Sequence, residues 1–372
     1  MKKKIKIGLL VSGFPPTTIG GAEIAAKNIA EYISKRNFEV HIITRNTIIK
    51  LNGKKYSLKK LEYYNGYVIH RFPCSKSSIL RFITHVLFSL KLLFQIKPDI
   101  IHSQQITPNG LVAIIGGKIL RKKTVVWAQG SEVYDSSLLY LKSIAQFIIT
   151  NAHIVLSVSK DMTNRMKRLW PNVSIFTLQN GIDLNKYFHN PLSKSSINLI
   201  YVGRLIKIKR VADALKALSH FKKNQPPLTL TIIGTGPQGG FLKKLCHSLG
   251  LKDSVQFLGS IHPAKIPDYL ANADIFIFPS LRESFGLAIL EAMASELPIL
   301  ASRTTAIPEL VHEGENGLLH SPGNTSELVK NLKTLIENDT LRKSMGQKSR
   351  EIARNYRWER IIDELIKLYS IS

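Results

Sequence analysis

Two glutamates eight positions apart, Glu283 and Glu291, enclose the segment of this chain whose residue types best suit chemistry. The apolar run at residues 274–279 predicts a short buried strand ended by proline. Ser284 can cap a following helix, and Gly286 leaves the backbone amides of its first turn open to a ligand. Such a helix start attracts phosphate.

The spacing of the two glutamates in the sequence also predicts the distance between them in the fold. In a continuous helix, a rise of about 1.5 Å per residue separates them by roughly 12 Å along the axis. An extended nucleotide sugar fits that length, with Glu283 at the sugar hydroxyls and Glu291 at the ribose. The amides of Phe285, Gly286 and Leu287 would then face the diphosphate. The alternative is a solvated helix that carries two surface glutamates.

Glycine loops and two cations follow other predicted strands. Arg204 and Lys209 come after the first strand of the C-terminal half, and together they can clamp a diphosphate without a metal. The alternative for these two side chains is a pair of solvated loop cations. Gly234 and Gly236 end the next strand, where a nucleotide base can stack on the backbone.

Gly20 and Gly21 lie between the first strand and the first helix of the chain. Glycine amides at this point can approach a phosphate or a sugar. The alternative is that the two glycines serve only the steric needs of a strand-to-helix turn.

Length and composition indicate a folded chain of two domains. The 372 residues exceed one ordinary core, and 44% of them are hydrophobic. Cys74 and Cys246 have no partner motif, which indicates packing residues in a reducing compartment. No cluster of metal-ligating residue types stands out in the sequence, so we expect no metal.

The positive charge is concentrated in the N-terminal half. Residues 1–190 contain 28 Lys and Arg against 9 Asp and Glu, a formal charge of +19, within a total of +26. No zinc-finger spacing, basic zipper or aromatic RNA-binding motif is present, so we expect no nucleic-acid partner. An anionic membrane surface is the better partner, at about 1 kcal/mol per basic side chain near the lipid.

Residues 79–96 form the longest apolar segment, interrupted by Arg81, His85 and Lys91. These charges argue against a transmembrane span. Two interpretations remain open for the helix. It packs on the N-terminal sheet, or it is a surface helix that enters the lipid interface. The apolar run at residues 5–11 is short for a signal peptide and predicts a first buried strand.

Strands and helices alternate along the chain in two series. Continuous apolar strands of this kind are typical of parallel sheets covered on both faces. We therefore predict an α/β fold with two Rossmann-like, doubly wound parallel-sheet domains that face one another across a cleft. Residues 1–185 form the first domain, residues 186–354 the second, and residues 355–372 a C-terminal helix. Ligands of such sheets lie at the carboxyl ends of the strands.

In combination, these motifs resemble the family 4 glycosyltransferases, which are retaining nucleotide-sugar enzymes with the GT-B fold. The resemblance covers nearly the whole chain. It rests on five motifs in order: residues 202–205 with Lys209, residues 233–236, residues 278–280, residues 283–294 and residues 307–311.

The resemblance implies a role for each site residue. Glu283 would hold hydroxyls of the donor sugar, Glu291 the ribose, and Arg204 with Lys209 the diphosphate. The donor would be a UDP- or GDP-sugar, with no cofactor. The departing phosphate oxygen would help to deprotonate the acceptor hydroxyl, and the two cations and the helix amides would stabilise the charge that grows there. The C-terminal helix would cross back onto the first domain.

Three positions depart from the family pattern. Gln129 replaces a histidine expected to touch the donor sugar near the reacting centre, and its amide can donate and accept but carries no charge. Glu296 stands where a glycine is usual. Thr305 and Ala306 replace a Gly-Gly pair ahead of Ile307.

We expect an enzyme of cell-surface polysaccharide or glycolipid assembly that transfers a sugar to a glycan or a lipid-linked acceptor. It would be cytoplasmic and peripheral on the inner face of the cell membrane. One alternative is a nucleotide-sugar epimerase of related fold, against which the Arg204, Lys209 and double-glutamate pattern argues. The other is a non-catalytic basic binding protein, which Gln129 and Glu296 favour.

Overall fold

The fold comes from a computed structural model that describes residues 4–16, 20–46, 49–51, 54–56, 58–64, 66–73, 75, 77–134, 142–190, 196–221 and 227–371. The chain divides into two compact units. Unit 1 contains Met1–Gly181 and Trp358–Ser372, and unit 2 contains Ile182–Arg357. The boundaries expected from the sequence, after residues 185 and 354, lie a few residues from these divisions. Cys74 lies outside the described residues, whereas Cys246 is buried and free.

Unit 1 is built on a mainly parallel sheet. Its strands are β1 (Ile5–Leu10), β2 (Phe38–Asn46), β3 (Ile49–Leu51), β4 (Lys54–Tyr56), β5 (Leu61–Tyr64), β6 (Tyr67–Pro73), β7 (Ile100–Ser103), β8 (Lys123–Ala128), β9 (Ile154–Ser157) and β10 (Ile175–Thr177). The sheet order is β10-β9-β8-β7-β1-β2-β6-β5, and β3 and β4 form a separate antiparallel pair. Within the sheet, β5 pairs antiparallel with β6 and the other neighbours are parallel.

Helices cover this sheet. They are α1 (Gly21–Ser34), α2 (Ser78–Ile96), α3 (Leu111–Leu120), α4 (Ser131–Tyr134), α5 (Lys142–Asn151) and α6 (Lys160–Leu169). Strands β7 and β9 are buried at every position, which explains why they appear in the sequence as continuous apolar runs. α2 is long and apolar enough to cross a membrane by length and composition alone. It packs on α3 and on the sheet through His85, Ser89, Leu93 and Ile96.

Unit 2 is built on a parallel six-stranded sheet. Its strands are β11 (Ile197–Val202), β12 (Leu228–Ile233), β13 (Val255–Gly259), β14 (Ile275–Phe278), β15 (Ile299–Ser302) and β16 (Gly317–His320), in the order β13-β12-β11-β14-β15-β16. Its helices are α7 (Val211–Ser219), α8 (Gly239–Ser248), α9 (Ile266–Ala271), α10 (Leu287–Ala294), α11 (Ile307–Leu310), α12 (Thr325–Glu337) and α13 (Asp339–Ala353).

The last helix, α14 (Trp358–Tyr369), follows unit 2 in the chain but belongs to unit 1. It packs on α1, and Trp358 is buried next to Gly181, where an added Cβ would come within 2.5 Å of the indole ring. The Tyr369 hydroxyl lies 2.6 Å from Nδ1 of the buried His102 on β7. The predicted fold class, with two Rossmann-like parallel sheets and a C-terminal helix that returns to the first, is therefore confirmed.

Candidate active site

Lys209 and Glu283 meet at the carboxyl edge of the second sheet. Lys209 follows β11 and Glu283 follows β14, which are neighbouring parallel strands, so both loops leave the same edge. The ammonium group forms an ion pair with the carboxylate, and the two side chains are only 14% and 12% exposed. The Lys209 nitrogen also lies 5.4 Å from the centroid of the Phe278 ring, within cation–π range. Two of the four predicted catalytic side chains thus converge.

Arg204 lies on the same loop as Lys209, between β11 and α7. Its side chain is exposed, and its carbonyl accepts a hydrogen bond of 3.1 Å from the Tyr201 hydroxyl. Tyr201 is fully buried and stacks on Phe278 with 5.6 Å between ring centroids. Burial raises the pKa of Tyr201, the negative charge of Glu283 raises it further, and the positive charge of Arg204 lowers it. The pKa of Tyr201 therefore depends on the charges of both Glu283 and Arg204.

The segment around Glu283 differs from its prediction in one respect. The helix begins at Leu287, and the residue before it is Gly286, at φ +98°, with no side-chain cap. Ser284 is therefore not the cap, and Glu283 lies in the loop ahead of the helix. The separation of 12 Å along a helix axis was wrong for this reason, because only the later part of the segment is helical.

The first turn of α10 still leaves backbone donors open. Ile289 and Leu290 donate to the Gly286 carbonyl at 2.9 and 3.1 Å. The amides of Leu287 and Ala288 precede them, at positions where a helix offers no acceptor of its own. Within the described part of the chain they also have no partner outside the helix. Phe285 is buried, so its ring anchors the loop while the amides after it remain available.

Glu291 lies on α10, about one turn after Leu287, and is partly buried. Burial raises its pKa to about 7, while a hydrogen bond from the Tyr187 hydroxyl lowers it. Burial and the charge of Glu291 together raise the pKa of Tyr187. Tyr187 was not predicted, because no motif in the sequence marks it.

Two positions expected to be glycine in the family do adopt the backbone conformation that glycine favours. Glu296 has φ +58° and Thr305 has φ +42°. The Thr305 hydroxyl accepts a hydrogen bond of 2.8 Å from the Glu283 amide. The loop after β15 therefore contacts the loop that carries Glu283.

Gly234 and Gly236 have steric reasons to be glycine. A Cβ at Gly234 would lie 1.9 Å from the Gly203 carbonyl oxygen, and one at Gly236 would lie 2.4 Å from the Leu205 carbonyl oxygen. The loop after β12 thus packs directly on the loop that carries Arg204. Their predicted contact with a nucleotide stays a prediction.

The remaining predicted residues belong to unit 1. Gly20 precedes α1 and Gly21 begins it, and residues 17–19 of that loop lie outside the described chain. Gln129 follows β8, and its side-chain amide donates to the Gln104 oxygen at 3.0 Å. Gln104 follows β7 and is fully buried. These residues share the carboxyl edge of the first sheet, and their contact with a donor stays a prediction.

No group of three or more His, Cys, Asp or Glu side chains suited to a metal ion occurs among the residues that the structure describes.

Comparison with known proteins gives the same fold. Sucrose-phosphate synthase from Thermosynechococcus elongatus superposes with a TM-score of 0.82 at 20% identity, with 98% of each chain covered. Anabaena HepE in complex with UDP-glucose superposes with a TM-score of 0.78 at 20% identity, covering 98% of this chain and 99% of that one. Two parallel-sheet units of this kind are the GT-B fold, which the chain shares with these proteins.

Comparison of the sequence with protein families then identifies the family of the chain. The model described as "Glycosyltransferase Family 4" matches residues 19–186, and that described as "Glycosyl transferases group 1" matches residues 185–352. N-acetyl-alpha-D-glucosaminyl L-malate synthase of Bacillus anthracis is 26% identical over 387 residues, which cover 98% of this chain and 97% of that protein. The chain belongs to family 4 of the glycosyltransferases.

Proposed function

We propose that the protein is a retaining glycosyltransferase that moves a sugar from a UDP- or GDP-sugar to a hydroxyl of a glycan or lipid-linked acceptor. The observation that carries this proposal is the ion pair of Lys209 with Glu283, next to the exposed Arg204. A carboxylate for sugar hydroxyls and two cations for a diphosphate are the groups that a nucleotide-sugar donor requires.

In this proposal, transfer occurs on one face of the sugar. The bond from the anomeric carbon to the diphosphate oxygen breaks, and that oxygen accepts the proton of the attacking acceptor hydroxyl. Arg204, Lys209 and the open amides of Leu287 and Ala288 stabilise the charge that grows on the phosphate. Positive groups already present in the protein supply this stabilisation, so we propose that no metal or cofactor is needed.

Two further residues have a role in this proposal, Glu291 in unit 2 and Gln129 in unit 1. Glu291 accepts from the ribose hydroxyls, beside the hydrogen bond that it already receives from Tyr187. The Gln129 amide contacts the donor sugar and is oriented by Gln104. An amide at this position offers a donor and an acceptor without a charge.

The exposed face of α2 supports the proposal that the acceptor lies at a membrane. Ile79 is 71% exposed and Leu87 is 62% exposed. Successive helical residues turn by about 100°, which puts most of the exposed apolar side chains in one stripe beside the buried face. The stripe consists of Ile79, Leu80, Ile83, Leu87 and Phe94. An apolar stripe next to basic side chains is typical of helices that lie in the lipid interface.

The position of α2 in unit 1 suits such a role. His85 Nε2 donates to the Asn109 side-chain oxygen at 2.7 Å, and Asn109 donates to Ser12 at 3.1 Å, just after β1. At its other end, Lys6 on β1 donates to the Ile96 carbonyl at 3.3 Å. The helix therefore begins beside the carboxyl edge of the first sheet and runs antiparallel to the strands. We propose that it holds the enzyme on the cytoplasmic face of an anionic membrane, in cell-surface polysaccharide or glycolipid assembly.

A donor screen followed by a hydrolysis assay tests the proposed function. A UDP- or GDP-sugar that binds should raise the melting temperature, since a ligand at 100 times its Kd stabilises by about 2.7 kcal/mol. The stabilising donor should then release free sugar slowly in the absence of acceptor, with the anomeric configuration retained. A donor that binds but is never turned over would instead indicate a binding protein, and conversion of the donor to its epimer would indicate an epimerase.

A further inference from the structure

Thr305 is a β-branched residue held in a backbone conformation that favours glycine. Its φ is +42°, where side chains branched at Cβ are strained. Strain of this kind persists only where the surrounding contacts hold the backbone in place. The contacts of Thr305 therefore indicate what the strain supports.

Three hydrogen bonds join the loop after β15 to the loop after β14. The Thr305 hydroxyl accepts from the Glu283 amide at 2.8 Å, and the Ala306 amide donates to the Glu283 carbonyl at 3.5 Å. The Thr304 hydroxyl donates to the Leu281 carbonyl at 3.0 Å. Glu283 is thus held on both sides of its own peptide groups, and the shorter of those two contacts comes from the Thr305 side chain.

Glu283 depends on such support because it lies outside regular secondary structure. It stands between the end of β14 and the start of α10, and its carboxylate pairs with Lys209. The backbone is fixed by one partner and the side chain by another. A glycine at position 305 would keep the loop conformation and remove the hydrogen bond to Glu283.

We propose that Thr305 is a positioning residue that fixes Glu283 for contact with the hydroxyls of the donor sugar. The proposal rests on the proposed role of Glu283 in donor binding. The left-handed backbone places the Thr305 hydroxyl next to the Glu283 amide, so the hydrogen bond depends on the strained conformation. Its effect is on the placement of a carboxylate that touches substrate, and Thr305 itself need not touch the sugar.

Two substitutions at this position separate the hydroxyl from the backbone conformation. Thr305→Ser keeps the hydroxyl, and Thr305→Gly keeps the conformation without it. With the stabilising nucleotide sugar as substrate, Thr305→Ser should stay within about twofold of wild type, while Thr305→Gly should lose about 5- to 10-fold in kcat/KM, as expected for one lost hydrogen bond.

Glu296→Gly is the matched control. Glu296 is in the same unit at φ +58°, and its carboxylate lies 3.4 Å from the Arg350 guanidinium. Glycine at either position relieves strain, so neither Thr305→Gly nor Glu296→Gly should lower the melting temperature markedly. Only Thr305→Gly should lower activity. Equal activity of Thr305→Gly and Thr305→Ser would overturn the proposal, as would an equal loss in Glu296→Gly.

A double-mutant cycle tests whether Thr305 acts through Glu283. Affinity for the nucleotide sugar is measured by calorimetry in wild type, Glu283→Ala, Thr305→Gly and the double variant. Thr305→Gly should weaken binding in wild type and have no further effect once Glu283 is alanine. An undiminished effect in the Glu283→Ala background would show that Thr305 acts elsewhere and overturn the inference. If Glu283→Ala itself binds and turns over donor like wild type, the proposed role of Glu283 fails instead.

Discussion

Lys209 and Glu283 are 74 residues apart in the sequence and form an ion pair at one edge of the second sheet. Each therefore offsets part of the other's charge before a donor arrives. Arg204 differs, because its exposed side chain has no acidic partner in the described part of the chain. It is therefore the cation most available to an incoming diphosphate, and the substitutions below test this division of roles.

Arg204→Ala should weaken binding of UDP or GDP by about 1.5–3 kcal/mol, the usual contribution of a hydrogen bond to a charged group. Isothermal titration calorimetry measures the change. Lys207→Ala is the control, since Lys207 is an exposed cation on the same loop. Equal affinity in wild type and Arg204→Ala would show that Arg204 is not part of the diphosphate site. An equal loss of affinity in Lys207→Ala would show that the effect comes from the overall positive charge of the loop.

Glu283→Ala should abolish sugar transfer and leave the fold intact, because Glu283 lies in a loop at the edge of the sheet. The variant should bind nucleotide sugar more weakly and bind the nucleoside diphosphate at least as well, since Lys209 loses its competing partner. Transfer assays and calorimetry with both ligands give the comparison, with circular dichroism as the check on folding. Turnover like that of wild type in the folded variant would place Glu283 outside the site.

Transfer should continue in EDTA. Arg204, Lys209 and the first amides of α10 already offer positive groups to the leaving diphosphate, so a divalent ion is not required to stabilise its charge. Initial rates with and without chelator make the test. Loss of activity in EDTA, followed by recovery on adding magnesium or manganese, would contradict the proposed mechanism.

Glu291 should make stability depend on pH. Burial raises the pKa of Glu291 from its ordinary value of 4.5 to about 7 in the folded protein, so folding favours the protonated carboxyl. Its contribution to stability is complete below pH 4.5 and is lost as the pH rises through about 7. Glu291→Gln should therefore gain stability relative to wild type over that interval, measured by urea unfolding at several pH values.

Buried histidines act in the opposite direction and serve as an internal reference. Burial lowers the pKa of His85 to about 4 and that of His102 to about 3. Wild type and Glu291→Gln therefore both lose stability as the pH falls below 6.5. This contribution cancels in the difference between wild type and Glu291→Gln. A difference that stays constant from pH 4.5 to 8 would mean that folding does not raise the pKa of Glu291.

The protein should sediment with anionic liposomes and not with neutral ones. Binding should decrease with salt, because the Debye length falls from about 10 Å at 0.1 M to about 3 Å at 1 M. Replacing Arg81 and Lys91 by glutamate should weaken binding, and so should Leu87→Ser on the exposed face of α2. Phe241→Ser is the control, as Phe241 is 53% exposed in unit 2. Equal recovery on neutral and anionic vesicles would contradict the membrane proposal.

The sequence predicts strands well where both faces of the sheet are covered. β14 and β15 are buried at every position, and their continuous apolar runs indicate this directly. β5 is the opposite case. It is an edge strand whose side chains are mostly exposed, and no apolar pattern marks it. The start of α10 was misplaced because serine is a common cap, whereas here Gly286 adopts the left-handed conformation that ends the loop.

Site residues could be predicted singly but not in their contacts. Motif types and spacing identify Glu283 and Lys209, yet their pairing depends on how two loops converge. Tyr187 contacts Glu291 from a stretch without periodicity, so no sequence signal could have found it. For α2, composition left a core helix and a surface helix open, and the structure has it buried on one side and apolar on the exposed side.

The return of α14 to unit 1 has a consequence for synthesis on the ribosome. Trp358 and Tyr369 fill positions against Gly181 and His102 that the first 181 residues leave uncovered. Unit 2 lies between the two segments of unit 1 in the chain, so all residues of unit 2 are translated before unit 1 is complete. The unit made first should therefore be the last to reach its native packing. A chain stopped before residue 358 should hold a folded second unit attached to a first unit that chaperones still recognise.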